Sequence, residues 1–449
     1  MSMATCMMAG ALALTPVGPA TPARAAVFDP ETFTLDNGMR VVVVSNRRAP
    51  VVTHWVWYGV GTADSPPGRS GLPHFLEHLM FKGTEAVPPG EFSKIVSRNG
   101  GNDNAMTSQD FTAYYQTIAR DRLETVMELE ADRMANLVLD EDEVRAERAV
   151  VVEERLQRVD NDPGSRLGEQ VNAAQYLNHP YRLPTIGWLH EIEGYTLDDA
   201  RAFYEAWYAP NNAVLIVVGD IDADELRPLA EQYYGPIPRR DVPERVRLQE
   251  PPQQAPRRVT LSDARVRQPS LVRSYLAPSY NAGDSEHAYA LQVLAEVFGG
   301  GGTSQLYRSL VIDRALAVSA GAYYSPTALD LSTFRVYGSP RPGVDLAAVE
   351  AAVEEEIARL LKEGVSEHEV ERAKRRMRAE AVYARDSLGG AARTLGAALT
   401  SGRTVQDVET WPERIGAVTV DQVNAAARAV LRPEASVTGL LTPATAQES

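Results

Sequence analysis

The residues with the most chemistry in this chain are His74-Phe75-Leu76-Glu77-His78. On a helix turning about 100° per residue, His78 stands about 40° from His74, with Glu77 about 60° to the other side. Two imidazoles and a carboxylate therefore share one face. Phe75, Leu76, Leu79 and Met80 fall on the opposite face, so one side can anchor in a core while the other holds a metal. Histidines at i and i+4 suit zinc, whose bonds to nitrogen of about 2.0–2.1 Å need two rings converging on one point. Glu77 then lies beside the open coordination position, placed to take a proton from metal-bound water. A solvated helix face would carry the same letters. A third ligand, acidic and well downstream, separates the two readings.

That ligand is offered by the stretch Glu147-Arg148-Ala149-Val150-Val151-Val152-Glu153-Glu154. Seven residues of helix bring Glu147 and Glu154 to within about 20° of one face, while Glu153 points about 100° away. The pair presents two stacked carboxylates, one to ligate and one to orient a ligating imidazole. Glu141, Asp142 and Glu143 read as solvated surface. The other histidines (His54, His179, His190, His287 and His368) are scattered singly and read as core or surface residues. Trp55, Trp57 and Tyr58 read as packing residues of a strand. Gly299-Gly300-Gly301-Gly302-Thr303-Ser304 lacks the Gly-Lys-Ser/Thr that would make it a phosphate-binding loop. It reads as a connector or a loop that touches substrate.

These residues need a scaffold, and 449 residues exceed what a single core of ordinary size holds. Asn37-Gly38 predicts a hairpin between strands 33–35 and 39–44. Val51–Val60 is β-rich, Pro73 suits the first turn of the histidine helix, and long helices are expected over 121–136 and 140–158. After a Pro-, Arg- and Glu-rich stretch the order of elements recurs. The sequence thus divides into a leader (1–26), a first half (27–235), a linker (236–256) and a second half (257–445). In the second half the helix Tyr289–Phe298 takes the place of the histidine helix, and with no histidine it cannot hold the same metal. Residues 1–26 read as a signal peptide, with Ala23-Arg24-Ala25 near its end but no basic start; the expected location is periplasmic. Cys6 is the sole cysteine, so a metal must use histidine and carboxylate. Lys+Arg 45 against Asp+Glu 60, a net −15, argues against nucleic acid as a partner, and no apolar run is long enough for a membrane span.

His-x-x-Glu-His inverts the order of the commoner zincins and is the inverzincin signature. GRSGLPHFLEHLMFKGT, the 75 residues between His78 and Glu154, ERAVVVEE, NGGNDNAMTSQDFTAYY and YAPNNAVLIVVGD together resemble the pitrilysin/insulysin metallopeptidases. The mitochondrial processing-peptidase type and its small bacterial relatives look most similar. The resemblance implies zinc held by His74, His78 and Glu154, with Glu77 as general base and Glu147 supporting the site. It implies an α+β fold of two homologous half-domains, each an antiparallel-rich sheet packed with helices, facing each other across a chamber that admits peptides. Asn104, Ala105 and Thr107 resemble the edge strand on which substrate backbone adds. The chain departs from the pattern where one-chain members carry an Arg and a Tyr: those positions are Val311 and Val318 here, and valine donates no hydrogen bond. Arg308, Arg314 and Tyr323 lie near them in sequence. The expectation is therefore a zinc endopeptidase working as a heterodimer, with a related subunit supplying the missing pair. The alternative is a non-catalytic structural or peptide-binding subunit of the same fold.

Overall fold

The computed structural model describes residues 27–444, so the leader reading falls outside the described residues. In the first half, β1 (Glu31–Thr34), β2 (Arg40–Ser45), β3 (Val51–Tyr58), β4 (Asn102–Thr107), β5 (Thr112–Ala119) and β6 (Ala213–Gly219) form one sheet in the order β1-β2-β6-β3-β5-β4. In the second half, β7 (Arg257–Asp263), β8 (Ser270–Ala277), β9 (Ala317–Tyr324), β10 (Ser332–Pro340) and β11 (Ser436–Pro443) form another, ordered β7-β11-β8-β10-β9. Strand for strand, β2-β6-β3-β5-β4 repeats as β7-β11-β8-β10-β9. The one parallel pairing of each sheet also falls at the same place, β2 with β6 and β7 with β11. The internal duplication read from the order of elements is thus a duplication of topology.

Gly38 takes the φ of +94° expected of the Asn-Gly turn, but the β1–β2 loop is longer than a tight hairpin because Asn37 turns inward. Its amide donates to the carbonyls of Tyr234 and Ile237, tying the first hairpin to the end of the half. The histidine helix runs from Leu72 to Leu79 with Pro73 in its first turn, and it buries Leu72, Phe75, Leu76 and Leu79. Asp140 caps the helix Glu141–Arg155 by accepting from the Glu143 N–H. That helix ends three residues earlier than its pattern predicts, and a π-helical turn, Leu156–Asp160, follows.

The halves are interlocked in a way that pattern reading does not anticipate. Helix Pro163–Gln175 of the first half lays Leu167 and Val171 on Val437 and Leu441 of the second sheet and on Val266 in the turn between β7 and β8. In return, helix Leu388–Thr400 lays Ala391, Ala392, Leu395 and Ala398 on Trp55, Trp57, Val214 and Ile216 of the first sheet. Each sheet's outer face is closed by a helix of the other half. Both contacts are tight enough to need glycine: a Cβ at Gly439 would lie 2.5 Å from Val171, and one at Gly396 would overlap the Trp57 indole. Residues 236–256 carry no helix or strand, although Arg245 within them pairs with Asp64 at 2.6 Å.

Overpacking a site this close costs about 1–3 kcal/mol. Gly396→Val is expected to lower stability by about that amount and to move the Trp57 indole. Denaturant unfolding followed by tryptophan fluorescence measures both.

Candidate metal centre

The histidine helix enters its site after Gly71, whose φ is +81° and whose missing side chain lets the backbone of Ile186 and Gly187 close over it. This close approach sets the helix against the helix Glu141–Arg155. His74 and His78 leave the helix on one side with ring centroids 4.8 Å apart. Glu154 Oε2 lies 3.6 Å from His74 Nε2 and 3.1 Å from His78 Nε2. The ligand atoms of these three residues all fall within 4.8 Å of one another. Glu154 Oε2 is buried and makes no well-formed hydrogen bond. Two imidazole nitrogens and a carboxylate oxygen thus converge on one point, a donor set and geometry that fit zinc.

Glu147 occupies the far side of the ring. Its Oε1 is 2.8 Å from His78 Nδ1, which fixes Nδ1 as the protonated nitrogen and turns the Nε2 lone pair to the site. Lys82 holds the other oxygen, 2.6 Å from Glu147 Oε2, and reaches Glu143 at 3.2 Å. The Nδ1 of His74 has no such partner, so only one of the two rings is oriented in this way.

The electrostatics follow from these contacts. Burial, reinforced by the neighbouring His78, lowers the His74 pKa to about 4. Burial opposes charge on His78 as well, but the carboxylates of Glu147 and Glu154 outweigh it and raise its pKa to about 9. Glu154 is held below the ordinary carboxylate value, chiefly by His78.

Glu77 projects into the same cavity, whose volume is about 760 Å³. Burial raises its pKa, and the Thr107 hydroxyl, which donates to its Oε2, partly offsets that rise. Thr107, grouped by sequence with Asn104 and Ala105 on the edge strand, lines the cavity with them and also gives its hydroxyl to Glu77. Asn104 and Ala105 line the cavity on β4 as well. Since β5 is the sole neighbour of β4, the other edge of β4 is unpaired. Two residues that sequence reading missed also border the site: Lys82, and Arg158, whose Nε lies 3.0 Å from Glu154 Oε1. Their i+4 spacing from His78 and Glu154 was the available signal.

No second-half residue lines this cavity; its wall runs from His74 to Ile186. Val311 is buried in the second core and Val318 is exposed on β9. Arg314 is paired with Glu355 and Tyr323 with Arg335, while Arg308 is exposed. The glycine loop is pinned by Arg376, whose Nη1 donates to the Gly300 carbonyl, and by Arg372 on that of Thr303. His54 is a core residue between Gln116 and Tyr234, and His179 pairs with Asp330. His287 joins Asp284 and Glu286 in a largely exposed cluster. A second cavity of about 870 Å³, walled in part by Trp188 and Trp207, contains none of the metal-site residues.

Comparison with known proteins agrees with this geometry. Residues 40–187 match the family described as Insulinase (Peptidase family M16), and residues 194–377 match the Peptidase M16 inactive domain. The chain is 32% identical to the zinc protease PqqE of Helicobacter pylori over 78% of its own length and 79% of that protein. An uncharacterised zinc protease of Mycobacterium leprae is 30% identical, with 89% of this chain and 88% of that one aligned. Among solved structures, a protease from Helicobacter pylori superposes with a TM-score of 0.87 at 29% identity, covering 92% of this chain and 99% of the other. The fold alone is shared with the Escherichia coli periplasmic protease PqqL, at a TM-score of 0.78 and 21% identity, where the match spans 92% of this chain but 47% of that one. This chain belongs to the peptidase M16, or insulinase, family. Its first half matches the insulinase model and its second half the domain described as inactive.

Removing the charge that orients His78 tests the site directly. Glu147→Gln is expected to weaken zinc binding by about 10–100-fold, read by competition against a chelator of known affinity, while thermal unfolding keeps its cooperative transition.

Proposed function

We propose that this chain is the zinc-bearing subunit of an endopeptidase that hydrolyses peptides or unfolded segments. The carrying observation is that Glu77 shares one cavity with the convergent nitrogens and oxygen of His74, His78 and Glu154. Zinc bound by those three residues would polarise a scissile carbonyl and acidify a water molecule. Glu77 accepts the proton of the attacking water and returns it to the leaving nitrogen. Its raised pKa brings it nearer to neutrality, where one group serves as base and then as acid. The Thr107 hydroxyl occupies Oε2, leaving Oε1 for the water. Glu147 and Lys82 keep the His78 lone pair aimed at the site. The unpaired edge of β4, at Asn104 and Ala105, offers backbone groups to an extended substrate as an added strand.

The described lining of the cavity comes from the first half alone, and Val311 and Val318 supply no donor to a substrate carbonyl. Both points support a related chain that faces this one, closes the chamber and brings the Arg and Tyr. A periplasmic location rests on the leader reading. Among the described residues, no helix is long and apolar enough to cross a membrane.

Metal analysis is expected to find zinc in stoichiometric amount in the purified chain. Glu77→Gln should retain that zinc and lose about 10²–10⁴-fold in peptide hydrolysis, since the base is not a ligand. A chain without zinc would instead be a non-catalytic subunit. The pairing is tested separately. Adding a related chain that carries the Arg and Tyr but no His-x-x-Glu-His should raise cleavage, and full cleavage by the isolated chain, unchanged by that addition, would exclude the heterodimer.

A further inference from the structure

Two permanent cations line the metal cavity, Lys82 and Arg158, and they are placed very differently. The Lys82 ammonium lies between Glu143 and Glu147 and serves the far side of the His78 ring. The side chain of Arg158 is 71% exposed and touches the site through one atom, Nε, which approaches Glu154 Oε1. That oxygen is the one turned away from the histidines, since Oε2 faces both Nε2 atoms. A guanidinium is a planar fork with two usable edges. With Nε against Glu154 and most of the side chain exposed, Nη1 and Nη2 engage no hydrogen-bond partner among the described residues. Arg158 also sits in the π-helical turn Leu156–Asp160, and such turns recur at functional sites in helices.

We propose that Arg158 is a specificity-determining residue that grips a carboxylate of the bound peptide through Nη1 and Nη2. The inference rests on the peptidase reading above and extends it to a substrate class. A bidentate guanidinium–carboxylate pair is the strongest hydrogen-bonded contact that a free arginine end can make. The other charges of the cavity wall favour this use. Glu147 is paired with Lys82 and Glu154 with Arg158, so Glu77 is the one carboxylate of the cavity wall without a permanent cation beside it. Arg158 also answers the absence of donors at Val311 and Val318, because it brings a cation to the cavity from the metal-bearing half. The carboxylate comes either from an Asp or Glu side chain near the scissile bond or from the substrate's C-terminus.

Binding to the Glu77→Gln chain in zinc-containing buffer separates these cases without requiring turnover. Four fluorescent peptides of one mixed sequence are compared by anisotropy, with Glu or Gln at the internal positions and a free or amidated C-terminus. The peptide bearing the recognised carboxylate is expected to bind about tenfold more tightly than its neutral counterpart. Adding Arg158→Gln should cancel that difference, Arg158→Lys should restore part of it, and zinc content should be the same in all three chains. A preference for internal Glu identifies the side chain as the source, and a preference for the free acid identifies the C-terminus. Equal affinity for all four peptides, or a preference that survives Arg158→Gln, overturns the proposal. Failure of the peptidase reading is scored apart, by absence of zinc or of Glu77-dependent hydrolysis in the unsubstituted chain.

Discussion

The metal centre depends on how closely two helices, far apart in sequence, can approach. His78 and Glu147 are 69 residues apart and meet at 2.8 Å, a distance that leaves no tolerance for a shifted helix. The approach is set beside the site, where Gly71 lets the backbone of Ile186 and Gly187 take the space of a side chain. It is held from below by Phe75, Leu76 and Leu79 in a core that also contains Val144 and Val151 of the facing helix. The polar geometry above and the apolar contact beneath are two faces of one packing arrangement. A histidine helix free to rotate by one residue would turn His74 and His78 by about 100° and lose Glu154 altogether.

Much of the site was legible because helical periodicity is local information. His74, Glu77, His78, Glu147 and Glu154 could be placed on faces by counting residues, and the seven-residue spacing offered one ligand and one orienting carboxylate. Counting left open which was which. The structure separates them, because Glu147 meets Nδ1 of His78 while Glu154 meets the Nε2 atoms. Thr107 shows where such reading stops: its hydroxyl finds Glu77 across 30 residues of chain, through the placement of β4 relative to the helix, which no period encodes. The fold shows the same division. Strands and most helix starts were readable from alternation and capping residues, as with Asp140. An apolar stripe on 388–400 signals burial but does not say against which sheet.

The duplication is asymmetric for a physical reason. Both halves use the same strand order, yet helix His287–Gly299 of the second half buries Ala290, Leu291, Val293, Leu294, Val297 and Phe298, residues that fill more than one side of a helix. Gly299 lies so close to Ala322 that a Cβ would overlap it. A helix wrapped on that many sides has no free face for a pair of imidazoles. The second half lacks the His-x-x-Glu-His pair in sequence, and the packing of this helix leaves no face for one, so its description as an inactive domain has a structural counterpart here.

The reciprocal helices have a consequence for the order in which this protein reaches its shape. Trp55, Trp57, Val214 and Ile216 are made long before the helix that shields them, Leu388–Thr400. A growing chain therefore carries an apolar sheet face without its cover until residues 388–400 are present. Domain-by-domain folding from the N-terminus, the usual course for long chains, stops here at a sticky intermediate. The first half waits for the second, and the protein's exposure to aggregation is set by the time needed to deliver residues 388–400.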